Sequence, residues 1–187
     1  MTMPTRFLWT LPLLGALALG AAYSDYDSAR RKFDQIEADR LRPGSRVELT
    51  PQELNAYIER EVPGGVRDPR LQVTAPQIAT GTALVDFGKV RQAQGHPPGW
   101  LMSRLLAGER PVSVTARIRS AGGTATVDVQ RVEISGMEID GATLDFLIQN
   151  CLLPLYPDAM VGRPFELGHR IERLDVEPSG VGIFIGR

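Results

Sequence analysis

The stretch PVSVTARIRSAGGTATVDVQRVEI, residues 111–134, decides the fold. Val112, Val114, Ala116 and Ile118 alternate with Ser113, Thr115, Arg117 and Arg119. Alternation of period two marks a strand with one face on a core and one in water. Gly122-Gly123 supplies the left-handed backbone of a tight hairpin turn. On the return strand Ala125, Val127 and Val129 share a face, and the apolar set then shifts by one to Val132 and Ile134. A shift of one residue predicts a bulge near Gln130-Arg131. Bulges bend strands, so this sheet is expected to be strongly curved.

Two further hairpins flank the first. Leu71, Val73 and Ala75 alternate with Gln72, Thr74 and Pro76. A turn is expected at Thr80-Gly81, and Ala83, Val85 and Phe87 then alternate with Thr82, Leu84 and Asp86. Near the C-terminus Leu174 and Val176 lead through Pro178-Ser179-Gly180 to Val181, Ile183 and Ile185. The other face of that last strand carries Gly182, Phe184 and Gly186, and glycines there leave room for a close approach.

Helices are expected between the hairpins. Residues 24–42 place Tyr26, Ala29, Phe33, Ile36 and Arg40 or Leu41 at near-helical steps, with Ser24 as cap and Pro43-Gly44 as stop. A short strand over 46–49 precedes a helix opened by a capping box, with Thr50 as N-cap, Pro51 at the first helical position and Glu53 three residues on. Leu54, Tyr57, Ile58 and Val62 form its stripe, and Pro63-Gly64-Gly65 stops it. Asn55 lies beside that stripe and is expected either to meet solvent or to bond a loop backbone under the sheet. Residues 91–99 read as a loop and 100–107 as a short Leu-rich helix. Residues 141–153 read as the most apolar helix, ended by Pro154 and Pro157. Helices alternating with hairpins, rather than with single strands, predict an α+β fold with a curved antiparallel sheet packed on the interleaved helices.

The N-terminus reads as an export signal: Arg6, then an apolar run over 7–19, then Gly20, Ala21 and Ala22. Residues 1–22 are thus expected to be a signal peptide cut after Ala22, or an N-terminal anchor at the short limit for a bilayer. Residues 23–45 are then a linker helix and 46–187 a single α+β domain. The expected location is periplasmic or secreted, or the inner membrane if the segment is kept. A domain of this size hides about 70% of its unfolded surface and needs no disulfide.

Composition excludes several chemistries. A net charge of -1 gives no general electrostatic footprint for nucleic acid. The single cysteine, Cys151, falls in an apolar stripe, where a thiol acts as a small hydrophobe rather than as a nucleophile. His96 and His169 lie in loops. No P-loop, nucleophile elbow or dinucleotide fingerprint occurs. The acid pairs Asp25/Asp27, Glu59/Glu61 and Glu138/Asp140 are explained by helix ends, by opposed faces and by capping. No catalytic residue, cofactor or metal is expected.

The stretch TPQELNAYI, residues 50–58, resembles the helix-opening motif of small bacterial envelope proteins with a tubular lipid-binding (TULIP-like) fold. The resemblance continues in order through GTALVDF (81–87), the segment 100–107, the hairpin 111–134, ISGMEIDG (134–141), PFEL (164–167) and the closing hairpin, covering about residues 46–186. Its polar motif matches only at Glu53, Asn55 and Tyr57. The resemblance implies a curved sheet wrapped round helices with an apolar groove for acyl chains. The expected function is binding of lipid or another apolar small molecule by shape, without catalysis, with a membrane surface as a further partner. Tyr57, Ile58, Phe87, Leu105, Phe146, Leu147, Ile148 and Phe184 are the expected liners. The competing expectation is an envelope assembly factor with a filled core.

Overall fold

The computed structural model describes residues 13–93, 108–149 and 161–187. The elements run α1 (Leu13–Glu37), β1 (Arg46–Leu49), α2 (Pro51–Glu61), β2 (Val66–Ala75), β3 (Ile78–Val85), α3 (Phe87–Ala93), β4 (Arg110–Ala121), β5 (Thr124–Ile134), β6 (Met137–Glu138), α4 (Gly141–Leu147), β7 (Phe165–Glu166), β8 (Ile171–Glu177) and β9 (Gly180–Ile185). The fold is α+β with antiparallel strand pairing, as the hairpin spacing predicts. Strands β2 to β6 form the larger sheet in sequence order, and β7 pairs with β5 beside it. The smaller sheet has the order β1-β9-β8, so its central strand is the last of the described strands.

The hairpin of β4 and β5 carries the expected bulge. Thr115 pairs with Arg131, but Ala116 pairs with Val129, which leaves Gln130 as the extra residue. The shift keeps Val129, Val132 and Ile134 on one face despite the change of period.

Four local expectations are corrected. The turn between β2 and β3 lies at Pro76-Gln77, and Thr80-Gly81 is mid-strand, opposite Thr115 and Val114. Tertiary bonds hold that turn: Gln77 N–H donates to the Val176 carbonyl at 2.8 Å, and the Gln77 carbonyl accepts from Ile118 N–H at 2.7 Å. Phe87 does not extend β3; it opens α3, because Asp86 accepts from Lys89 N–H at 3.0 Å and starts a helix there. That helix takes residues 91–93 out of the expected loop. Ser24 is not a cap, since α1 already runs from Leu13, and the helix stops at Glu37, short of Leu41. Asp140 occupies the N-cap of α4 without a side-chain hydrogen bond.

Two apolar clusters organise the packing. In the first, Ala29 and Ile36 of α1 meet Leu49 of β1 and Ile183 and Ile185 of β9, with Phe33, Leu54 and Tyr57 against them. In the second, Phe87 and Ile134 pack with Val85, Val112, Ile139 and Leu147. Helix α1 is clamped to α2 through one carboxylate. Glu53, 5% exposed, closes the capping box with Thr50 and also accepts from Lys32 Nζ at 2.6 Å and Ser28 Oγ at 2.6 Å. Burial pushes the Glu53 carboxyl up, but the bonds from Lys32, Ser28 and the Thr50 N–H outweigh it and hold it below the usual carboxylate value.

Candidate functional site

The second cluster does not fill the space above the larger sheet. By strand register Ala83 lies opposite Val112, Gly81 opposite Val114, Val112 opposite Ile134 and Val114 opposite Val132. These residues therefore share one face. Helices α3 and α4 stand over one end of that face. Between them lies an open groove of about 260 Å³, lined by Val66, Val85, Phe87, Val90, Val112, Val114, Val129, Val132, Ile134, Leu144, Leu147 and Ile148. Every described lining side chain is apolar. Val85, Val112, Val114 and Val129 are only half-buried although they lie on the core face of the sheet.

The wall made by α3 depends on a close approach. Gly65 has φ +96°, and a Cβ there would lie 2.8 Å from Val90 N. Its carbonyl accepts from Asp86 N–H at 2.8 Å. Glycine is thus required where the α2–β2 connection meets the first turn of α3. The β2 edge of the sheet is covered by α2. Asn55 on α2 bonds both backbone groups of Leu71, accepting from its N–H at 2.8 Å and donating to its carbonyl at 2.9 Å, and also donates to the Pro51 carbonyl at 2.8 Å. The amide serves as a surrogate strand for the β2 edge, so its partner is a strand rather than a loop.

No protein-family model matches this chain, and neither does any curated protein or solved structure.

The groove gathers Phe87, Leu147 and Ile148 among the expected liners. Four others lie elsewhere. Tyr57 sits in the α1–α2 interface, with its ring 4.4 Å from Phe33 and 6.0 Å from Tyr26. Ile58 is half-buried on α2, away from the groove lining. Phe146 is 37% exposed, one helix position off the lining Leu147. Phe184 faces away from the first cluster on the smaller sheet, with the Arg173 guanidinium 3.6 Å and the Arg46 guanidinium 4.9 Å from its ring centre. Leu105 lies outside the described residues, as do His96, Cys151, the helix expected over 100–107 and the end of the helix expected over 141–153. The close approach expected at Gly182 is real but internal: a Cβ there would meet Arg46 Nε at 2.7 Å.

Alternation already assigns Val85, Val112, Val114, Val129 and Val132 to the right face, and leaves Val66 and Val90 unassigned. What their pattern lacks is any sign of whether that face is covered, since a strand valine reads the same in a filled core and on a groove floor. Among the described residues no cluster of His, Cys, Asp and Glu has the form of a metal site. Among them, too, no helix is long and apolar enough to cross a membrane.

Proposed function

We propose that this protein is an exported envelope protein that binds a lipid or another apolar ligand by shape, without catalysis. The observation that carries the reading is the groove above the larger sheet, open, apolar in all its described lining and floored by half-buried valines. Its volume lies just under the roughly 300–1,000 Å³ usual for small-molecule sites, so it suits one alkyl chain rather than a bulky ligand. Burial of such a chain contributes about 0.8 kcal/mol per methylene. Export is supported by the N-terminal pattern and is compatible with the packing. Every described core residue of α1 lies after Ala22, beginning with Tyr26, so cleavage there leaves the first cluster intact.

The test is direct. The purified domain is extracted for mass spectrometry of copurifying lipid and titrated with a fluorescent fatty acid. Wild type is expected to take up the probe, and Val114→Trp, which fills the groove floor, is expected to lose at least tenfold in affinity with an unchanged far-UV spectrum. Absence of both copurifying lipid and probe uptake in wild type overturns the reading.

A further inference from the structure

Among the described residues the groove has no polar lining, so a ligand's head stays at its rim, and among them Arg110 is placed to meet it. Arg110 is the first residue of β4 and lies opposite Val85 in β3. Strand alternation puts it on the face of Val112 and Val114, both of which line the groove. It is half-buried, while Pro111 beside it is exposed. Its carboxylate neighbour in sequence, Glu109, is taken by Arg67 at 3.0 Å. Arg119 and Arg131 on the outer face of the same hairpin also hold carboxylates, at 2.7 Å to Asp128 and 2.9 Å to Glu133. Arg110 makes no ion pair and no side-chain hydrogen bond among the described residues.

We infer that Arg110 selects the head of the ligand, and that the groove takes an amphiphile with a single alkyl chain and an anionic head, a carboxylate or a phosphate monoester. The inference rests on the lipid-binding reading and narrows it. A half-buried guanidinium without a counter-ion is under-solvated, and an arriving carboxylate or phosphate satisfies it through paired N–H donors. The apolar lining fixes the tail and the guanidinium fixes the charge of the head.

Calorimetric titration of the purified protein with tetradecanoate, tetradecyl phosphate and tetradecanol separates the contributions. At least one anion is expected to bind about tenfold or more tighter than the alcohol, the effect of one charge-assisted contact. The tighter of the two anions names the head. Arg110→Gln is expected to reduce anion affinity to that of the alcohol while leaving the alcohol unchanged, and Arg110→Lys to keep part of the preference. Equal binding of anions and alcohol by wild type overturns the inference and leaves the groove as a neutral alkyl site. An anion preference that survives Arg110→Gln overturns the role of Arg110. Failure of all three probes to bind overturns the lipid-binding reading and this inference with it.

Discussion

Asn55 does the work of a strand with one side chain. Because its amide satisfies both backbone groups of Leu71, truncation leaves a donor and an acceptor unpaired at the edge of β2. Asn55→Ala is therefore expected to cost about 1–3 kcal/mol, read as a lower urea midpoint at unchanged m-value. Glu53 makes stability depend on acid. Its folded pKa lies below its unfolded value, so the stability it contributes is fully present above the unfolded pKa. That contribution is lost as pH falls through the folded value. Urea unfolding of wild type and Glu53→Gln from neutral pH to pH ~3 is expected to show a stability difference that holds above the ordinary carboxylate range and shrinks below it. A difference independent of pH would refute the role of the ionised carboxylate.

Glycines set how closely the elements approach, and their neighbours decide what each tolerates. At Gly180, with φ +149°, a Cβ would lie 2.5 Å from the Leu49 carbonyl oxygen, which is backbone and cannot yield. At Gly182 the obstacle is the end of the Arg46 side chain, which can swing aside. Gly180→Ala is expected to cost about 2 kcal/mol or more and Gly182→Ala less than half of that, compared by thermal unfolding. Gly65→Ala is expected to push α3 off its seat and to weaken probe uptake more than it weakens the fold. Elements with a purely local cause were legible in the sequence: the capping box of α2, the Gly122-Gly123 hairpin and the bulge at Gln130. Those set by distant partners were not. The β2–β3 turn goes to Gln77 because Val176 and Ile118 bond it there, and nothing between residues 71 and 87 announces that. The groove was legible as a face and illegible as a void. The aromatic residues expected to line it went mostly to other interfaces, Tyr57 to α1 and Phe184 to its two arginines.

At the scale of the molecule, the two apolar clusters divide the labour. One joins α1, α2 and the smaller sheet, and the other carries the groove on the larger sheet. Strand β8 ties them, with Ser120 Oγ donating to the Leu174 carbonyl at 3.0 Å and accepting from Leu174 N–H at 2.7 Å. Residues 180–187 are therefore indispensable: a chain ending at Ser179 is expected to lose its cooperative thermal transition, checked by calorimetry. The same topology governs the order of events during synthesis. Among the described strands β1 pairs only with β9, so an early strand waits for a late one, a closure of high contact order and hence slow. Until β9 leaves the ribosome, the first cluster lacks Ile183 and Ile185, and the nascent fold cannot lock. A polypeptide built this way stays threadable until its closing hairpin has been made.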